Sequence, residues 1–531
     1  MNGKTGGNRG PRRAAALAVV AAVAVLAACG GSPTPHGGSP TPHGGSSSSS
    51  DGSASTETAT YRADLAYAHC MQTHGVPDFP DPKPSGDISI SGQPRGNSPA
   101  ARANEACEHL LAAGSTGTGS ATAAAMASPP GAATADCLGS QSCYTPQQYR
   151  VAYRVQPLLD RGIDGRGVTV ALPEEAETGP AQVPAVTDIR QDVADFDRRF
   201  GLPPARIQVI TTLAGSSASP WLASEEEVAD TEMVHAVAPD AAIREILVGT
   251  ADVSTPAKLA ATFARYVRIA VRNGEVMSQS GIGQDFNLAE SSWTSAEVAT
   301  MNSALEYAAG RHVTVVAASG DEGVLGNGSS TPAREVILPS SDPLVLEVGG
   351  TSLTANPVTG AYISETAWNT LPGLPSSGGN SDGSGGGFSR LFPRPAYQDG
   401  IAGIGTTRGA PDVAADADGT TGMALAFSDG GGQGYVLVGA GGTSVSAPFW
   451  AGLIALADQE AGHQLGFVNP AIYQIARGPL YHQAFHDVTT GNNTVVLNGV
   501  TIAGYQAGPG WDPVTGWGTP DAQVLIPLLA R

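Results

Sequence analysis

The sequence predicts an α/β chain built on a doubly wound parallel sheet. Short runs apolar at nearly every position recur at 168–172, 243–248, 276–280, 313–317 and 345–348, the pattern of strands buried on both faces. Between them, 188–200, 256–273 and 295–309 carry apolar residues at helical spacing. Such alternation is how parallel sheets are wound, because each crossover needs a helix. Only 14% of residues are charged and 69 are glycine, so a large, loop-rich globular unit with appendages is expected within the 531 residues. The net charge of −20, with no basic patch visible along the chain, argues against nucleic acid as a partner.

Taken in order, residues 1–28 read as an export signal. Lys4, Arg9, Arg12 and Arg13 form its positive start, and 14–25 is an apolar stretch too short to span a bilayer. Leu26-Ala27-Ala28-Cys29 resembles a bacterial lipobox, which makes Cys29 the lipidated first residue of the mature chain. The alternative is an ordinary secretory signal with a free cysteine, and Arg12-Arg13 leaves a twin-arginine signal open. Residues 29–57 are a low-complexity tether in which Ser-Pro-Thr-Pro-His-Gly-Gly occurs twice, with His36 and His43 as solvated spacers. Residues 58–113 hold two helical patterns, 61–72 and 100–113, and Cys70 and Cys107, expected to pair outside the cell. A linker, 114–136, leads to Cys137 and Cys143, expected to close a tight disulfide loop at the head of the main domain, 137–531.

Within that domain the helix starts are legible. Thr294 with Glu297, and Ser224 with Glu227, are capping boxes; Gly310 ends the first of these helices, and Pro239 follows the end of the second near Val237. On the helix begun at Ser224, Glu226 and Asp230 stand four apart on one face. Two carboxyls that close disfavour double ionisation, so a shared proton in mild acid is expected. An acidic first turn facing only water is the plain alternative.

Further on, 434–438 reads as a short strand, followed by Gly441-Gly442-Thr443-Ser444-Val445-Ser446-Ala447-Pro448 and an apolar helical run to Leu456. Pro448 is expected in the first turn, where a missing N–H costs nothing. Ser444 then sits where free helix N–H groups can meet developing negative charge, good ground for a nucleophile. Gly349-Gly350-Thr351-Ser352 repeats the tetrapeptide, but Leu353-Thr354-Ala355-Asn356-Pro357 follows it without a helical run, so Ser352 reads as the end of a strand. No histidine has a His-Gly-Thr context and the first strand ends Leu172-Pro173-Glu174, so a subtilisin-type base is missing and Ser444 needs another.

Glu226 and Asp230, followed by Thr231-Glu232-Met233-Val234-His235-Ala236-Val237-Ala238-Pro239, resemble the carboxylate helix of the sedolisins, the serine-carboxyl peptidases with a subtilisin-like fold. In the family's order come Val313-Thr314-Val315-Val316-Ala317-Ala318-Ser319-Gly320-Asp321, then Ser384-Gly385-Gly386-Gly387-Phe388-Ser389-Arg390, then 408–414, then Gly442-Thr443-Ser444. The likeness runs from Tyr144 to the C-terminus. It implies an acid-active endopeptidase at the cell surface, acting on peptides or proteins as a monomer and held to the membrane only by a lipid on Cys29. It implies Ser444 as nucleophile, Glu226 as general base, Asp230 as the group orienting that base, and Asp321 with the Ser444 N–H as oxyanion donors. Glu174 falls where some members carry a supporting carboxylate. Ser278-Gln279-Ser280 is followed by Gly281 where the family often has an aromatic residue, and the family's large prodomain is not evident in 30–136. One structural Ca²⁺ is also implied, on the carboxylates of Asp487 and Asp512 and the carbonyls of Val488, Gly508 and Gly510, a hard-oxygen set suited to that ion. His482 and His486, four apart, leave zinc as a second reading of the stretch. The rival function is a cell-surface binding protein that kept the fold and lost the chemistry. An aspartic-type peptidase would leave 441–448 unexplained.

Overall fold

A computed structural model describes residues 137, 143–175, 187–211, 222–249, 252–281, 288–326, 333–370, 382–428, 435–497 and 499–531. The export signal, the tether, the Cys70–Cys107 pairing and the linker lie outside these residues. Cys137 and Cys143 are joined by a disulfide.

The five predicted sheet strands become β1 (Thr169–Glu175), β3 (Ala242–Val248), β4 (Val276–Gln279), β5 (Val315–Ala318) and β6 (Leu346–Ala355), and the sheet adds three that the pattern did not predict, β2 (Arg206–Thr211), β7 (Tyr362–Ala367) and β8 (Val413–Asp416). They form one eight-stranded sheet in the order β7-β6-β5-β4-β1-β3-β2, with β8 also pairing β6. Every pairing is parallel except that of the edge strand β7 with β6. From β1 the chain runs to the edge strand β2, returns to β3 between the two, then crosses to β4 on the other side of β1. That reversal makes β1/β4 a switch point, where a crevice opens at the strands' carboxyl ends.

Helices cover both faces. On one side α2 (Glu225–Val237) and α5 (Thr443–Ala461) pack Met233, Val234, Phe449, Trp450 and Leu453 on Val170, Leu172, Ile243 and Val348. On the other, α3 (Pro256–Asn273) and α4 (Ser295–Ala309) pack Phe263, Val267, Met301 and Leu305 on Ala171, Ile246, Met277 and Val315. Each large side chain buried this way contributes about 1.5–3 kcal/mol of transfer free energy. The remaining helix of note, α1 (Ile189–Phe200), starts on its Asp188 cap. Both capping boxes form.

Gly310 caps α4 as expected, in right-handed conformation. Two local expectations need correcting. Ser352 lies inside β6 rather than at its end, because β7 supplies an antiparallel partner as far as Ala355. Pro448 is not in a first turn: α5 begins at Thr443, so the proline is its sixth residue. The expected 434–438 strand is β10 (Tyr435–Gly439), which pairs antiparallel with β9 (Ala424–Ser428) apart from the main sheet.

Candidate active site

Ser444 is the second residue of α5, and the turn before it depends on Gly442. That residue has φ 89°, and a β-carbon there would stand 2.8 Å from Asp321 Oδ2, so only glycine permits both the bend and the approach. Asp321 follows β5 by three residues. Its Oδ1 accepts the Thr443 N–H at 2.7 Å and the Thr443 hydroxyl at 2.8 Å, while the Gly320 N–H donates to that hydroxyl oxygen at 3.0 Å. Burial raises the Asp321 pKa above the usual carboxylate range despite these bonds. Its Oδ2 lies on the Gly442 side.

Glu226, in the first turn of α2, lies beside Ser444, whose hydroxyl favours the ionised carboxylate. Burial, chiefly, pushes its pKa up to about 7; the Ser444 hydroxyl opposes the rise and the charges of Asp321 and Glu225 add to it. One turn on, Asp230 is fully buried. Ser280, one residue past β4, places its Oγ 2.7 Å from Asp230 Oδ2 and 2.8 Å from the Ser444 carbonyl oxygen. A hydroxyl has one proton to give. The carbonyl can only accept, so a proton on Asp230 Oδ2, donated to Ser280, satisfies both contacts. Burial and the neighbouring Glu226 hold Asp230 well above its ordinary pKa, in keeping with that proton.

The position of the proline explains why Ser280 is needed. In a regular helix residue 448 would donate its N–H to the Ser444 carbonyl. Proline has none, and the Ser280 hydroxyl takes its place. Sequence reasoning missed this role, although Ser278-Gln279-Ser280 at the end of an all-buried strand was the available signal.

The carboxyl group of Asp230 also hydrogen-bonds Glu174, at the carboxyl end of β1. Glu174 is 2% exposed, and burial with the charge of Asp230 raises it well above its ordinary value. On β3, Glu245 stands in register with Leu172, two residues before Glu174, which puts both acids on one face of the sheet. Thr231 of α2 donates its hydroxyl to Glu245, and burial pushes that carboxyl up to about 8. Glu226, Asp230, Glu174 and Glu245 thus form a run of buried or half-buried acids whose pKa values are all raised, chiefly by burial.

Ser352 lies elsewhere, its hydroxyl donated to Asp418 at 2.8 Å. In the stretch implied for calcium, Asp487 accepts the Gly510 N–H at 3.1 Å on both oxygens. Asp512 accepts Gly508 N–H, Val514 N–H, Thr515 N–H and the Thr515 hydroxyl at 2.8–3.2 Å. Two carboxylates therefore converge on the 508–512 loop. None of these partners is cationic, and burial raises Asp512 to about 6. The donor set is hard oxygen and negative, which fits Ca²⁺. Zinc fares worse. His486 is stacked on Tyr362 at 3.8 Å. Among the described residues no group of three or more His, Cys, Asp or Glu side chains is gathered for an ion.

No family model matches the chain. It is 33% identical over 404 residues to kumamolisin of Bacillus sp. (strain MN-32), covering 73% of this chain and 65% of kumamolisin. It is 33% identical over 267 residues to tripeptidyl-peptidase 1 of Bos taurus, covering 45% of this chain and 41% of that protein. The chain thus spans less than two thirds of the length of these curated relatives. Among solved structures it is similar to Pseudomonas sedolisin, a serine-carboxyl proteinase complexed with two molecules of pseudo-iodotyrostatin. The TM-score is 0.59 at 26% identity, over 73% of this chain and 98% of the other.

Proposed function

The chain belongs to the sedolisin family, and from that premise we propose that it is an exported serine-carboxyl endopeptidase working best in acid. The observation that carries this reading is the placement of Ser444 beside Glu226, a carboxyl held near 7. Ser444 Oγ attacks the scissile carbonyl carbon while Glu226 takes the hydroxyl proton. The tetrahedral oxyanion accepts hydrogen bonds from protonated Asp321 and the Ser444 N–H. Collapse of that intermediate breaks the C–N bond, and Glu226 returns the proton to the departing amine. Water, deprotonated by Glu226, then releases the acyl group. Asp230, one turn on along the same helix and tied to Ser280, orients Glu226 and tunes its pKa.

Two needs oppose one another and bound the active pH range. Asp321 must keep its proton, since an ionised carboxylate would repel the oxyanion, and this favours acid; Glu226 must be ionised to accept a proton, and with its carboxyl near 7 this limits activity on the acid side. A binding protein that had lost the chemistry would leave this pairing without a use, and no observation favours it. The test is Glu226→Gln, which keeps the shape but cannot accept the proton. We expect kcat for peptide cleavage to fall about 10²–10⁴-fold with the melting temperature nearly unchanged. Parent-like kcat would overturn the assignment.

Asp487, Asp512 and the carbonyls of Val488, Gly508 and Gly510 would hold one Ca²⁺, which supplies charge balance and cross-links the 508–512 loop to the segment around 487. A ligand bound only by the folded state adds to stability by mass action. Excess chelator, or Asp512→Ala, is expected to lower the melting temperature, and an unchanged value in chelator would contradict the site.

The positive start and apolar stretch within 1–28, ending at Cys29, support export and lipid anchoring. Among the described residues no helix is long and apolar enough to cross a membrane. All residues assigned to catalysis come from one chain, which supports action as a monomer.

A further inference from the structure

Helix α3 carries Lys258, Arg265, Arg268 and Arg272 and no acidic residue in its 18 positions, in a chain with 28 Lys and Arg against 48 Asp and Glu. Along the sequence the four are too dispersed to read as a basic run. Wound at 100° per residue, they fall within an arc of about 80° and a stripe about 21 Å long. All four are exposed, opposite Leu259, Phe263, Val267 and Ala270, which are buried.

Acids are kept away from this face. Elsewhere Arg154, Arg161, Arg166, Arg190, Arg198 and Arg199 each meet a carboxylate, whereas Arg265, Arg268 and Arg272 enter no ion pair among the described residues. Of the acids on the adjacent α4, Glu297 is held in its capping box and Glu306 is exposed but makes no ion pair with the α3 arginines among the described residues. A groove of about 360 Å³ between the two helices is lined by Arg268, Arg272, Ser303, Ala304 and Tyr307. Tyr307 is 42% exposed, with the Arg311 guanidinium 5.5 Å from its ring centre.

We propose that this face docks on an anionic phospholipid surface. A straight stripe of cations is longer than one phosphate or carboxylate needs and matches a flat array of headgroups. Guanidinium forks bind phosphate oxygens in pairs, and a half-exposed tyrosine suits the headgroup layer. The helix lies across the sheet from α2 and α5, so docking leaves the Ser444 side of the molecule clear. The inference deepens the membrane reading. A basic face adds electrostatic attraction to anionic headgroups beside a lipid anchor. It does not depend on the peptidase chemistry.

The test is flotation of the full chain with vesicles of phosphatidylcholine alone or with one third phosphatidylglycerol, for the parent and for Arg265→Gln/Arg268→Gln/Arg272→Gln. The parent should bind the anionic vesicles about tenfold or more tightly than the neutral ones, and the difference should vanish in 0.5 M NaCl and in the triple variant. Binding to neutral vesicles reports the lipid on Cys29 and should be the same in both proteins, so the two readings fail separately. Retained peptidase activity shows that the variant is folded. Equal binding of parent and variant to anionic vesicles would overturn the proposal. So would salt-insensitive binding of the parent, which needs no variant, or removal of the anionic increment by millimolar inorganic phosphate at constant ionic strength.

Discussion

The chain contains the tetrapeptide Gly-Gly-Thr-Ser twice, with two outcomes. At 349–352 it is strand: Thr351 stands in register with Ala367 of β7 and Asp416 of β8, its hydroxyl donated to Glu365 at 2.8 Å. At 441–444 it is a corner: Gly442 turns the chain, Thr443 grips Asp321, and Ser444 opens a helix. Both serines have a carboxyl partner, Asp418 for one and Glu226 for the other. A carboxyl beside a serine therefore does not by itself make it a nucleophile. In the strand the backbone donors are committed to neighbouring strands. At the head of α5 the first N–H groups have no intrahelical partner, and a second acid, Asp321, is held against them. The residues after each tetrapeptide decide between these fates: Leu-Thr-Ala continues a strand, whereas Val-Ser-Ala-Pro and a long apolar run make a buried helix.

The comparison breaks most sharply by removing each hydroxyl. Ser444→Ala is expected to lower kcat by roughly 10⁴–10⁶ while the protein stays folded. Ser352→Ala should keep near-parent activity and lose about 0.5–1.5 kcal/mol of stability with its hydrogen bond. Rates and melting curves of both variants check this, and an inactive but folded Ser352→Ala would reverse the assignment. The next largest effect concerns the acid that only the second tetrapeptide possesses. Asp321→Ala, with no donor, should lose about 10²–10³ in kcat. Asp321→Asn has an N–H at every pH, so it should keep measurable activity and decline less than the parent towards neutrality. A pH–kcat series on the three proteins decides, and Asp321→Ala working at the parent's rate would remove this residue from the oxyanion site.

A smaller effect tests the acid run behind Glu226. Glu245 is held at about 8 in the folded chain, against about 4.3 for a solvated glutamate. Its folded value is raised, so the stability it contributes is fully present below the unfolded pKa and is lost as pH rises towards 8. A shift of this size amounts to a few kcal/mol across that window. The melting temperature should therefore fall between pH 5 and 8, and Glu245→Gln, which cannot ionise, should fall less steeply. Parallel curves would show that Glu245 is not buried as a neutral acid.

Much of this is legible in the sequence. Helix α3 has the bounds its pattern predicts because Thr255 caps it, Pro256 opens it and Gly274 takes the left-handed turn after it. Glu226, Asp230, Asp321 and Ser444 each stand in a motif, and the fold brings them to one end of the sheet. Cooperation between distant segments is what escapes a linear reading. Ser280 matters because Pro448 has no N–H, and 164 residues separate Ser280 from the carbonyl it serves. Glu245 joins the acid run only through the β1–β3 register. The basic stripe of α3 exists only once the helix is wound.

The central claim, that one of two identical tetrapeptides carries the nucleophile, is tested most directly by trapping the acyl-enzyme. The parent is mixed with an ester substrate at its optimal pH, quenched in strong acid within the first turnover, digested, and mapped by mass spectrometry. The acyl mass is expected on Ser444, with none on Ser352. An adduct on Ser352, or full turnover with no adduct on either serine at any quench time, would contradict that claim.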